Sequence, residues 1–134
     1  METEQCVWCG LETKKSDGAV HPYLESSPGC WAKYGELLAR EYENFEYMQV
    51  HSLTVDAYAL QHPGRQSPQT TQSVNIHLAS LYSYFFLGFP LSKLADVKTS
   101  LSKNKKRFEW LAPPKSLSLI NVKDILEANN ASQH

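Results

Sequence analysis

The stretch SPGCWAKYGELLAREYENF, residues 27–45, decides the fold because it joins a helix start to a cysteine. Ser27 is a favoured N-cap residue, and Pro28 suits the first helical position. Apolar or aromatic side chains then recur with a helical period, at Trp31, Tyr34, Leu37, Leu38 and Tyr42. The stretch therefore predicts an amphipathic helix whose first turn carries Cys30.

All three cysteines of the chain lie in its first 30 residues. Cys6 and Cys9 form a C-x2-C turn that Gly10 closes, and such a turn places two sulfurs on one side of a tetrahedral ion such as zinc. Cys30 is the expected third ligand, since the free N–H groups and the dipole of a helix start favour a thiolate. The cysteines therefore predict a zinc-knuckle-like segment, with a redox pair or free thiols as alternatives.

The fourth ligand is less firmly indicated by the pattern. His21 gives the spacing C-x2-C-x11-H-x8-C, a set of three cysteines and one histidine. Asp17 or a histidine from the helical part of the chain are the alternatives. A closed set of this kind is structural, whereas a shell completed by water or a distant residue would leave room for catalysis.

Downstream patterns predict further helices and no convincing strand. Their expected bounds are about Tyr47–Gln61, Ser67–Phe86, Leu91–Lys105 and Val122–Ala128. The predicted fold class is all-α, a bundle of four to five helices with a metal knuckle at its start. We expect a single domain over residues 1–134, with the knuckle at 1–30 and the bundle at 31–134.

A second group of polar residues falls in the predicted second and third helices: His51, Asp56, Tyr58, His62 and His77. If these helices form an antiparallel hairpin turning near residue 66, Asp56 lies level with His77. An Asp–His contact fixes an imidazole tautomer for catalysis or metal binding, but it also serves as a buried pair that holds two helices in register. His62, just before Pro63, could also cap carbonyls at a helix end.

Composition and charge narrow the function classes. The net charge of −1 combines an acidic first half with basic residues concentrated between residues 93 and 107. That basic stretch is typical of a solvated helix end, so nucleic acid is not expected as a partner. No apolar run is long enough for a membrane span, and the start METEQCVWCG is not typical of a signal peptide, so we expect a cytoplasmic protein.

Four strings resemble a family of small, mostly bacterial proteins catalogued as a domain of unknown function: CVWCG, HPYLESSPGCWAKYGELLAREY, VHSLTVDAYALQHPG and TTQSVNIHLASLY. The resemblance implies that members continue past residue 134 into a Trp-rich final helix. It also implies that the following residues match characteristic polar positions of the family: Cys6, Cys9, His21, Cys30, His51, Asp56, Tyr58, Gln61, His62, Gln72, Ser73 and His77.

We favour a zinc-binding helical protein whose metal is structural and whose bundle has a binding role. The alternative is a metal-dependent enzyme, of hydrolytic type, that uses His51, Asp56, His62 and His77. Whether the chain is an enzyme stays open at this point. The partner would be a protein or a small molecule, and a homo-oligomer is suggested by an aromatic run in the third helix, at Tyr82, Tyr84, Phe85, Phe86 and Phe89.

Overall fold

Helices dominate the computed structural model, which describes residues 2–114 and 120–132. Its strands are β1 (Thr3–Gln5) and β2 (Glu12–Lys14). Its helices are α1 (Pro28–Glu43), α2 (Phe45–Met48), α3 (His51–Gln61), α4 (Pro68–Phe85), α5 (Leu94–Ser102) and α6 (Val122–Ser132), with 3₁₀ turns at Leu91–Lys93 and Lys105–Arg107.

The small antiparallel sheet is absent from the all-α prediction. β1 pairs with β2 so that Glu4 lies opposite Thr13. The two strands are short and polar, and therefore lack the apolar alternation by which strands are recognised in a sequence. The hairpin encloses the C-x2-C turn, so its pairing fixes the two ends of that turn.

The predicted start of α1 is confirmed. The Ser27 hydroxyl accepts a hydrogen bond from the backbone N–H of Cys30, and Pro28 opens the helix. The expected second helix is divided into α2 and α3. Asn44 marks the boundary between α1 and α2. Its backbone ends α1, while its side chain accepts hydrogen bonds from two N–H groups of α2.

The predicted N-caps of α4 and α6 are confirmed. Ser67 and Thr70 cap α4 reciprocally. The Asn121 side chain accepts the N–H of Asp124, and the Asp124 carboxylate accepts the N–H of Asn121. The predicted fourth helix is shorter than expected, since a 3₁₀ turn opens it and α5 ends at Ser102.

Helix packing places the knuckle against the bundle. α3 packs on α4 and α4 on α5, while α1 contacts α3, α6 and β2. The buried apolar core lies where α1, α3, α6 and the knuckle meet, and it contains Cys6, Leu11, Cys30, Tyr34, Leu37, Tyr58, Val122 and Leu126. None of the helices in the described residues combines the length and apolar character needed to cross a membrane.

Candidate metal centre

Four side chains converge where the knuckle meets the bundle: Cys6, Cys9, Cys30 and His62. Their ligand atoms all lie within 4.8 Å of one another. The Cys9 and Cys30 sulfurs are 3.7 Å apart, and the Cys30 sulfur is 3.5 Å from Nε2 of His62. We call these four residues the metal cluster, because they lie close enough to hold one metal ion.

The hairpin positions the first two sulfurs of the metal cluster. The N–H of Cys6 donates to the carbonyl of Leu11 at 2.9 Å, and the N–H of Gly10 donates to the carbonyl of Cys6 at 2.9 Å. Gly10 has a φ of +74°, a left-handed conformation that favours glycine. The turn after Cys9 therefore folds back on itself and holds both sulfurs toward α1.

Cys30 reaches the metal cluster from the first turn of α1. The close approach of this turn to β2 depends on Gly29, where a Cβ atom would lie 1.8 Å from Oγ1 of Thr13. Because the helix start and the strand are in direct contact, the sulfur of Cys30 meets the sulfur of Cys9. Cys30 is fully buried in this position.

His62 reaches the metal cluster from the far end of α3. Its Nδ1 lies 2.9 Å from the carbonyl of Tyr58, to which it donates, so Nε2 is the ring nitrogen that faces the sulfurs. The carbonyl of His62 accepts the N–H of Glu25 at 3.2 Å. Gly64 then turns the chain with a φ of +73°, at a point where a Cβ would lie 2.2 Å from the carbonyl of Tyr23. The imidazole is therefore fixed by its own helix and by the incoming segment.

Tyr58 supports two of the ligands at once. Its hydroxyl lies 3.3 Å from the Cys30 sulfur. Its ring stacks on His62 at 4.0 Å between centroids and on Tyr34 at 3.8 Å. Burial raises the pKa of Tyr58, so its hydroxyl stays protonated and is able to donate to a Cys30 thiolate. Tyr58, one of the candidate catalytic residues, thus lies beside the metal cluster as a hydrogen-bond donor.

Hydrogen bonds between members of the metal cluster change the pKa values of those members. Hydrogen bonding from Cys30 lowers the pKa of Cys6, whereas hydrogen bonding with Cys6 raises the pKa of Cys30. Burial alone would lower the pKa of His62, but its hydrogen bonds to the sulfurs of Cys6 and Cys9 raise it to about 9. A cation entering the cluster would therefore replace protons, as expected for thiolate and imidazole ligands.

His21 and Asp17, two of the candidates for the fourth ligand, lie outside the cluster. Nδ1 of His21 accepts the N–H groups of Tyr23 and Leu24 at 3.2 and 3.1 Å, and its ring packs against Trp31. Asp17 is exposed. His62 thus occupies the place that the spacing assigned first to His21 and, as an alternative, to a histidine of the bundle.

The remaining candidates form two separate polar contacts. Nδ1 of His77 lies 2.6 Å from Oδ1 of Asp56, in the register that the antiparallel hairpin predicted. Lys98 of α5 also reaches Oδ1, at 2.6 Å. Burial raises the pKa of the Asp56 carboxyl, but the bonds from His77 and Lys98 outweigh it and the net pKa is lowered. Asp56 is therefore a buried carboxylate shared by two basic groups.

His51 instead contacts α1. Its Nδ1 lies 2.8 Å from Oε1 of Glu41, whose other oxygen accepts the hydroxyl of Thr54. Glu41 and Lys98 were missed by the sequence analysis. Glu41 had a signal, because it follows Tyr34 and Leu37 on the apolar face of α1, where a carboxylate needs a partner. The sequence contains no comparable signal for Lys98, because its pairing with Asp56 depends on how α5 packs.

Replacing Lys98 with methionine is expected to destabilise the protein by about 3 kcal/mol, since it leaves a buried carboxylate with one partner fewer. The measurement is urea unfolding at neutral pH. Lys123→Met is the matched control. The Lys123 ammonium forms an exposed ion pair with Glu127 at 3.9 Å, and the loss of this pair should cost less than about 1 kcal/mol. Equal effects of the two variants would contradict a structural role for the buried pair.

Comparison with known proteins agrees with the predicted resemblance. A model of DUF5946, described as a family of unknown function, matches residues 4–134. No curated protein and no solved structure shows a significant match to the chain. Because the match covers nearly the whole sequence, this protein belongs to the DUF5946 family.

Proposed function

We propose that this protein binds one zinc ion through Cys6, Cys9, Cys30 and His62, that the metal is structural, and that the helical bundle has a binding role. The observation that carries the proposal is the convergence of these four ligand atoms within 4.8 Å. Three sulfurs and one imidazole nitrogen are a donor set typical of structural zinc sites.

The spacing of the donors supports a tetrahedral ion. With zinc–sulfur bonds of about 2.3 Å and zinc–nitrogen bonds of about 2.0 Å, the tetrahedron edges are about 3.8 Å between sulfurs and about 3.5 Å between sulfur and nitrogen. The distances of 3.7 Å between Cys9 and Cys30 and of 3.5 Å between Cys30 and His62 agree with these edges. These two donor–donor distances therefore suit a zinc tetrahedron, and the remaining donor–donor distances of the metal cluster are within 4.8 Å.

A structural role is supported by the closure and burial of the cluster. Four protein ligands complete a tetrahedron, so no position is left for water or a substrate. Cys6, Cys30 and His62 are each 2% exposed or less. The ion would fasten the hairpin to α1 and α3, and the binding role then belongs to the surface of the bundle.

The alternative, a metal-dependent hydrolase, has less support. Its four candidate residues do not converge: His62 lies with the cysteines, His51 with Glu41, and Asp56 with His77 and Lys98. An active site built from them would need groups in three places to act on one substrate. The Asp56–His77 pair is better explained as a contact that sets the register of α3 and α4.

Elemental analysis of the purified protein tests the proposal. We expect one zinc per chain in the wild type and in His21→Ala and His77→Ala, and none in His62→Ala. The histidine variants are matched controls, because they remove the same ring from three places. Zinc retained in His62→Ala but lost in His21→Ala would assign the fourth ligand to His21. A wild-type protein that holds no metal after purification and takes up no added zinc would overturn the whole proposal.

A further inference from the structure

The end of α4 and the turn after it form an exposed apolar face. Its members are Tyr82, Phe85, Phe86, Leu87 and Phe89, with exposed fractions of 52, 65, 76, 54 and 39%. Large aromatic side chains are costly to expose together, and contiguous patches of this kind mark interaction sites. We call these five residues the aromatic face.

A groove lies beside the aromatic face. It runs between α4 and α5, has a volume of about 740 Å³, and is lined by apolar side chains that include Leu87, Phe89, Val97 and Leu101. Tyr82 lines the same groove and stacks on Phe86 at 5.2 Å between ring centroids. Exposed aromatic side chains and an apolar groove are therefore adjacent on one surface.

The backbone beneath the aromatic face is well fixed. The N–H of Phe86 donates to the carbonyl of Tyr82 at 2.9 Å, and that of Phe89 donates to the carbonyl of Ser83 at 2.9 Å. Gly88 has a φ of +74°, so the helix ends in a left-handed turn that favours glycine. Because this turn is already ordered, little entropy would be lost in ordering it when a partner binds.

We propose that the aromatic face binds the same face of a second copy of this chain across a two-fold axis. A two-fold interface must be self-complementary, because the same patch meets itself. Each copy offers both the exposed Phe86 side chain and the groove between α4 and α5. In a two-fold dimer, Phe86 of each copy can therefore pack into the groove of the other.

The charges of the groove are self-complementary as well. Lys93 and Asp96 line it three residues apart. A two-fold axis passing between them pairs each Lys93 with Asp96 of the other copy, and no like charges need to face each other. A partner that carries charges of mainly one sign would gain no net electrostatic attraction from this arrangement.

The exposed area of the aromatic face matches a specific interface of small size. If a side chain of this size offers about 200 Å², the exposed parts of the aromatic face amount to roughly 570 Å² per copy. Two copies would then bury roughly 1,100 Å² if the whole face is covered, and this area includes part of the groove wall, because Tyr82, Leu87 and Phe89 belong to both. It lies just above the roughly 1,000 Å² that a specific interface should reach. The proposal names the partner of the binding role proposed above and rests on that role, but it does not depend on zinc.

Sedimentation velocity of the full chain over a wide concentration range is the test. We expect a wild-type dimer and a monomeric Phe86→Glu variant. Phe45→Glu is the matched control and should remain dimeric, because Phe45 is 81% exposed on α2, outside the aromatic face. Zinc content measured on the same samples separates the two proposals, since Phe86→Glu should lose the dimer and keep its metal. A wild-type chain that stays monomeric at every concentration would overturn the inference.

Charge reversal tests the two-fold geometry. Lys93→Glu and Asp96→Lys should each raise the dimer dissociation constant by about tenfold, which corresponds to about 1.4 kcal/mol. The double variant should recover the wild-type value, because it restores both pairs in the opposite sense. A double variant as weak as either single variant would overturn the pairing of Lys93 with Asp96.

Discussion

Removal of the zinc ion proposed above is expected to lower the melting temperature by more than about 15 °C, because the site should contribute at least about 5 kcal/mol and each kcal/mol shifts a domain of this size by about 3–4 °C. The reason is the place of the metal cluster in the fold. Cys6 and Cys30 belong to the buried core itself. The hairpin adds Leu11 to that core and Cys9 at its edge, so much of its attachment to α1 runs through the metal cluster. A strong chelator and Cys30→Ser should have the same effect when unfolding is followed by circular dichroism.

The metal-free variant supplies the control for this experiment. Cys30→Ser should melt at the same temperature with and without chelator, since it has no metal to lose. Cys6→Ser should behave like Cys30→Ser, because both remove a buried sulfur ligand. Complete removal of zinc from the wild type with no change in melting temperature would show that the ion does not support the fold.

Alanine in place of Gly29 is expected to cost about 3 kcal/mol of stability and to weaken zinc binding. The new methyl group would lie 1.8 Å from Oγ1 and 2.5 Å from Cβ of Thr13, so β2 and the start of α1 must move apart. Cys30 is the next residue and would move with the helix. Urea unfolding measures the first effect, and competition with a zinc-binding dye measures the second.

Gly35→Ala is the matched control in the same helix. Apart from its chain neighbours and the backbone of its own helix turn, no atom of the described residues lies within 4 Å of the position where its Cβ would be built. This alanine should therefore stabilise the protein by about 0.5–1 kcal/mol through its higher helix propensity. The two substitutions are chemically identical and should have opposite signs. Equal stability of the two variants would mean that the approach of α1 to β2 carries no strain when a methyl group is added.

Local signals in the sequence predicted much of the fold. Ser27 before Pro28, Ser67 before Pro68, and Asn121 before Asp124 all mark helix starts by capping chemistry, which acts within four residues. The level position of Asp56 and His77 also followed from a simple antiparallel register. These features depend on neighbours in sequence or on a single turn, and for that reason they could be predicted.

The fourth member of the metal cluster could not be predicted in the same way. His21 is nearer to the cysteines in sequence, but its ring is used to accept two backbone N–H groups of its own turn. His62 comes into place only because α3 packs on α1 and the segment at Glu25 bonds to its carbonyl. The hairpin was missed for a related reason, since its strands are stabilised by pairing around the C-x2-C turn rather than by an apolar face.

The sequence distance between the ligands has a consequence for biosynthesis. Cys6, Cys9 and Cys30 leave the ribosome well before His62, so the nascent chain first presents three thiols without their imidazole. The fourth donor arrives only when α3 has formed and docked, because domains fold as units and not ligand by ligand. Tight retention of the ion would then coincide with completed folding, and chains that fail to assemble the bundle would release it.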